Sequence, residues 1–170
     1  LPVLPWNLFR TYGPLTSMRW DPHPGEHPAA GTGGVLYAAG DIATCLAEVY
    51  QTTRLVDTGS GAPALTAWTP LRALRLLDLT GTWALRNTAS AALSAAPRVV
   101  CRRWARAIHT TWPDLDGLYV TSTMTGRPNV VLWQPAADST PALPAFSRSL
   151  ATPLVWSIAH VAATKIGYAI

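Results

Sequence analysis

Charge is scarce in this sequence. Only 13% of its 170 residues are Asp, Glu, Lys or Arg, whereas a chain that stays disordered combines high net charge with low hydrophobicity. Cysteine is scarcer still: Cys45 and Cys101 are the only two. Each stands inside an apolar helical pattern, which excludes a disulfide framework and reads as two buried, reduced thiols. The four histidines, His23, His27, His109 and His160, show no ligand spacing with those cysteines, so no metal site is expected. No apolar run approaches the roughly 20 residues that cross a bilayer. The stretch Leu1-Pro2-Val3-Leu4-Pro5 is too short and too broken by proline for a signal-peptide core. The expectation is a cytoplasmic protein without a membrane anchor. With no internal repeat and no long linker, residues 1–170 are expected to form a single domain.

What is present suits a compact body with many turns. Apolar residues make up 49% of the chain, with 12 Gly and 15 Pro. The net charge of +4 favours anionic partners. The densest basic group, Arg98, Arg102, Arg103 and Arg106, has helical spacing and reads as a solvated helix face. Without aromatic interleaving on a sheet or a reading helix, direct nucleic-acid binding is not expected; a phosphate-bearing small molecule fits the charge equally well.

A short strand is expected around Leu8-Phe9-Arg10, before Asp21 to Pro28 breaks the pattern with three prolines and a glycine. Val35 to Ala39 reads as a buried strand ended by Gly40, and Asp41 caps a helix from Ile42 to Tyr50. Ile42, Cys45, Leu46 and Val49 form its apolar stripe, with Glu48 on the flank beside Thr44 and Thr52. Ala64–Trp68 and Leu71–Leu79 look like two adjacent strands. Helices are expected over Thr88–Ala95 and from Pro97 onward, the second with a stripe of Val100, Trp104 and Ile108. Gly117–Ser122 and Asn129–Trp133 read as strands joined by the turn Thr125-Gly126-Arg127-Pro128. A last helix runs from Thr152-Pro153 to about Ala163, with Ile166–Ile170 as a closing strand.

Cleaving an N-glycoside needs a carboxylate beside the sugar, because the departing base leaves an oxocarbenium-like carbon. Of nine acids, Asp21, Glu26, Asp41, Glu48, Asp57, Asp78, Asp114, Asp116 and Asp138, most stand in expected turns or caps. Composition alone reads Glu48 as a helix-surface carboxylate; the pattern around it changes that reading.

In order, Phe9-Arg10, Arg19-Trp20-Asp21-Pro22, Gly34-Val35-Leu36-Tyr37-Ala38-Ala39 leading into Thr44-Cys45-Leu46-Ala47-Glu48-Val49, and Gly117-Leu118-Tyr119-Val120-Thr121-Ser122 resemble the RES-domain family. That family is named for an arginine, a glutamate and a serine, which here are Arg10, Glu48 and Ser122. The resemblance spans residues 8 to about 134. It implies an α+β fold like that of diphtheria-toxin-like ADP-ribosyltransferases, small split β-sheets flanked by helices, with NAD+ as substrate rather than cofactor in the cleft between them. It also implies a bacterial toxin neutralised by an Xre-type antitoxin or an immunity protein, and is compatible with an oligomer.

Carried over residue by residue, Glu48 would hydrogen-bond the nicotinamide ribose and stabilise charge at its anomeric carbon. Arg10 and Arg19 would hold the pyrophosphate or ribose side in a bidentate fork. Tyr37 would lie against the nicotinamide ring or ribose. Ser122 would hydrogen-bond the ligand or orient Glu48; it is not a hydrolase nucleophile, since Thr121-Ser122-Thr123 offers no glycine-flanked elbow. His109, His23 and His27 are candidate rim residues. The expected activity is NAD+ cleavage at the nicotinamide–ribose bond by hydrolysis or phosphorolysis. An ADP-ribosyltransferase with a protein or nucleic-acid acceptor, and a non-catalytic binding module of a larger delivered effector, are the alternatives.

Overall fold

The computed structural model describes residues 5–170; residues 1–4, most of the proline-broken N-terminal stretch, lie outside the described residues. The chain is 29% helix and 23% strand, built on two sheets. The larger contains β1 (Arg10–Gly13), β2 (Ala29–Ala39), β4 (Leu76–Asp78), β5 (Gly117–Thr121) and β6 (Pro128–Trp133), in the spatial order β1-β2-β6-β5-β4. All its pairings are antiparallel except β4 with β5. β3 (Ala64–Ala67) and β7 (Phe146–Ser149) form the second, two-stranded sheet. The expected arrangement of small split sheets flanked by helices is what the chain adopts.

The β5–β6 hairpin is the most sequence-directed part, because its apolar β-formers flank a Gly-Arg-Pro turn. Its register sets Leu118 against Val131 and Val120 against Asn129. Gly117 is required at its start: its φ is +150°, and a Cβ there would overlap the Val131 carbonyl. β2 runs eleven residues rather than five. β1 pairs with its Ala29–Val35 half, which composition alone does not mark as strand. β1 itself begins at Arg10, not Leu8, whose amide is engaged in a turn to the Pro5 carbonyl.

Among the described residues four helices flank the sheets: α1 (Ile42–Val49), α2 (Trp83–Arg86), α3 (Arg98–Thr111) and α4 (Pro153–Lys165). Asp41 caps α1 as expected, accepting from the Thr44 amide at 2.8 Å. The buried side of α1 is rotated from the expected stripe. Thr44, Leu46 and Ala47 are buried and Val49 is 67% exposed, because α1 packs on α4 and on Tyr168 rather than on the large sheet. On α3, Cys101, Ala105 and Ile108 are buried, while Trp104 sits at the edge against Trp83. Both cysteines are free.

Other expectations fail for identifiable reasons. Ala64–Ala67 and Leu76–Asp78 do not pair; they belong to different sheets. Between them the Leu71 amide bonds to the Ser139 carbonyl and Arg72 turns inward. The alanine-rich segment 88–95 forms only a 3-10 turn at Leu93–Ala95, since Thr88 has a φ of 63° and stops the helix begun at Trp83. Ile166–Ile170 contributes a single bridge, Ala169 with Leu55, instead of a strand. The arginine face of α3 is not simply solvated: Arg102 donates to the Thr16 and Met18 carbonyls at 3.0 and 2.9 Å.

One core lies between α3 and the large sheet, around Val35, Leu118, Val120, Val131 and Trp133; a second joins α1, α4 and the small sheet around Leu46, Val155, Ala159 and Tyr168. Fully buried Asp116 links their connecting segments. It accepts from both Arg72 terminal nitrogens at 2.8 Å and from the Arg75 amide at 2.7 Å, and Arg72 holds its carboxyl below the usual carboxylate range. Arg72 is 38% exposed, so solvent screens the pair. Asp116→Asn is expected to cost about 2 kcal/mol at pH 7, read from urea unfolding. Because the folded-state pKa is depressed, that contribution is present above the unfolded value of 3.8 and disappears as pH falls below it.

Candidate active site

Glu48 is half-buried in the last turn of α1, and the strand hairpin reaches it. Ser122 Oγ donates to Glu48 Oε1 at 2.6 Å, and Asn129 Nδ2 donates to the same oxygen at 3.1 Å. Ser122 Oγ in turn accepts from the Met124 and Thr125 amides at 3.1 and 3.2 Å. With its lone pairs taken by those N–H groups, the serine hydrogen is directed to the carboxylate. Thr125 Oγ1 meets Thr44 Oγ1 at 3.0 Å, tying the hairpin turn to the first turn of α1. Among the described residues Glu48 Oε2 has no hydrogen-bond donor.

Strand register gathers the remaining groups. Arg10 pairs with Val35, Tyr37 with Val131, Ala39 with Asn129, and Asn129 with Val120. Paired antiparallel residues share a face, as do residues two apart. Arg10, Tyr37 and Asn129 therefore share one face, on which Ser122 continues the line of Leu118 and Val120. Tyr37 lies two residues along β2 from the partner of Asn129, roughly 7 Å of strand.

Beside Tyr37 lies a second polar network centred on fully buried Asp21. Arg10 forms an ion pair with Asp21 at 2.7 Å and also donates to the Tyr12 carbonyl. The Leu15 amide donates to Asp21 Oδ2 at 2.8 Å. Tyr37 donates its hydroxyl to Asp21 Oδ1 at 2.8 Å and accepts from the Trp20 amide at 3.2 Å. Although the Tyr37 residue is 39% exposed, its hydroxyl is enclosed; burial, with the Asp21 charge second, pushes the phenol well above its ordinary value. Tyr37 thus presents a neutral aromatic ring whose tilt is set by Asp21.

Arg19 is placed differently. Its guanidinium donates to the Ala96 carbonyl and lies 3.6 Å from Cys101 Sγ, fastening the N-terminal loop to the start of α3. His23 is not a rim residue: it is 2% exposed, packed against Gly13, where a Cβ would overlap its ring. His27 is exposed, and His109 packs edge-on against Trp133. A cavity of about 220 Å³ adjoins Ser122, walled by Leu79, Ala91, Ala92 and Ser94. A larger recess of about 780 Å³ lies at the other end of α1, around Asp41, Thr44 and Arg127.

Sequence reasoning misses two members of this constellation. Asp21 stands inside the stretch Arg19-Trp20-Asp21-Pro22, where an aspartate before proline reads as a turn residue. Asn129 reads only as the start of a strand. Its signal is nonetheless present, since Asn is a poor strand former beside Val-Val-Leu-Trp.

The family model described as RES domain matches residues 5–157 of the 170. The chain belongs to the RES-domain family, which is known from toxin–antitoxin systems and associated with NAD-utilising activity. Comparison with curated proteins and with solved structures gave no match.

The Asp21 network has a pH consequence. Burial pushes His23 down from 6.5, opposed by Asp21 at 3.9 Å and reinforced by Arg10. A His whose folded pKa is depressed binds its proton more readily when unfolded, so its contribution is full above 6.5 and is lost as pH falls. His109, also pushed down by burial, adds in the same direction. The urea midpoint is expected to fall between pH 7.5 and 5.5, and His23→Leu to flatten that slope; an unchanged slope would show that His23 does not titrate in this range.

Proposed function

We propose that this RES-domain chain is a toxin enzyme that breaks the nicotinamide–ribose bond of NAD+ by hydrolysis or phosphorolysis, depleting the dinucleotide. The observation that carries the reading is the carboxylate of Glu48, with one oxygen engaged by Ser122 and Asn129 and the other left without a protein donor among the described residues.

In this reading Glu48 Oε2 accepts a hydrogen bond from the nicotinamide ribose. The C–N bond breaks with its electron pair leaving on nicotinamide, and the positive charge at the anomeric carbon is stabilised by the fixed carboxylate. An oxygen of water or inorganic phosphate then forms the new bond and releases its proton to solvent. The open ring face of Tyr37 offers a platform for the nicotinamide or ribose. Arg10, its side chain 29% exposed and neutralised on one side by Asp21, would offer its remaining donors to a phosphate-bearing ligand. Arg19 supports the site by fixing the loop that carries Asp21. An antitoxin or immunity protein is the expected protein partner.

Purified chain incubated with NAD+, with and without phosphate, is expected to release nicotinamide. Glu48→Gln, equal in size but without the charge, is expected to slow release by about 100-fold or more. Failure of the parent chain to release nicotinamide under either condition would sink the reading. Labelled macromolecules appearing from labelled NAD+ in a lysate would redirect it to ADP-ribose transfer.

A further inference from the structure

We propose that Asn129 is a positioning residue for Glu48, acting with Ser122 to lock one oxygen of the carboxylate and so aim the other at the substrate. The inference rests on the reading of Glu48 as the acidic residue of NAD+ cleavage and adds a group that the arginine, glutamate and serine do not include.

Its geometry is specific. Asn129 sits opposite Ala39 on one side and Val120 on the other. The Nδ2 group lies 3.1 Å from Glu48 Oε1. The opposite amide orientation would set two acceptor oxygens against each other, so donation to the carboxylate is chemically required. Oδ1 is then buried without a partner among the described residues, an unfavourable arrangement if stability were the only role of the residue.

Glu48 also needs the help. It stands in the last turn of α1, at the negative end of the helix dipole, and that turn contains no basic residue. A single donor leaves the carboxylate free to swing; two donors from separate strand ends, Ser122 and Asn129, fix its plane.

Glu26 and Glu48 are the only glutamates, so carbon-13 labelling of glutamate carboxyls gives two resonances, with exposed Glu26 as an internal reference. Relative to the parent at one fixed pH, Asn129→Ala is expected to move the Glu48 carboxyl resonance, because the carboxylate loses one of its two donors, and Asn129→Asp, which sets a like charge in place of the donor, to move it further. The Glu26 resonance stays put. For nicotinamide release, Asn129→Ala should lower kcat about tenfold while KM for NAD+ changes less than about threefold. Its Tm should stay within about 3 °C of the parent.

A Glu48 carboxyl resonance that is the same in parent and Asn129→Ala overturns the proposal, as does a large loss of Tm with kcat intact. The resonance needs no turnover: if the parent releases no nicotinamide, the NAD+ reading fails while the role of Asn129 is still decided. If Asn129→Asp does not fold, the shift in Asn129→Ala alone decides between the two outcomes.

Discussion

The hydrogen bond from Ser122 to Glu48 joins the two halves of this molecule. Ser122 directly follows a strand of the large sheet, and Glu48 stands in the last turn of a helix whose buried side belongs to the second core. At 2.6 Å to an ionised oxygen it is a short, charge-assisted contact. It holds only because the turn after Ser122 occupies the other positions of the hydroxyl with two amides and anchors itself to Thr44. The carboxylate is thereby supported from both layers.

The second network works by the opposite balance. Asp21 is fully buried, and it is stable there because Arg10, the Leu15 amide and the Tyr37 hydroxyl all donate to it. A buried charge without such partners would be strongly unfavourable. The same bonds give Tyr37 its orientation and hold the Arg10 guanidinium over the sheet face. Polar groups that would be a liability in the core thus fix the side chains of Tyr37 and Arg10. His23 shows how tight the packing is: its ring nitrogens lack hydrogen-bond partners among the described residues, and only a glycine fits against it.

Much of the secondary structure was legible because local chemistry is unambiguous where it matters most. Asp41 before an apolar run, Pro97 before α3 and a Gly-Arg-Pro turn between two strands each leave few alternatives. Legibility failed where a distant partner decided the outcome. Alanine-rich 88–95 has helical propensity, but the left-handed backbone at Thr88 and the packing of Leu93 and Ser94 override it. Leu71–Leu79 looks like one strand until Asp116 draws Arg72 and Arg75 into a turn. The rotated face of α1 has the same origin: periodicity defines a stripe, but the neighbouring helix selects which flank is buried.

The sequence by itself determined the family, whose model matches residues 5–157, and with it the expectation of split sheets and an acidic residue on a short helix. Those features depend on residue type and spacing along the chain. Only the tertiary structure decided that Asp21 sets Tyr37 and Arg10, that Arg19 fastens a loop, and that Asn129 meets Glu48. The physical reason is that these contacts join residues 11 to 81 positions apart, as in Arg10 with Asp21 and Asn129 with Glu48. Cross-strand register and helix packing, rather than any local preference, bring such residues within hydrogen-bond reach.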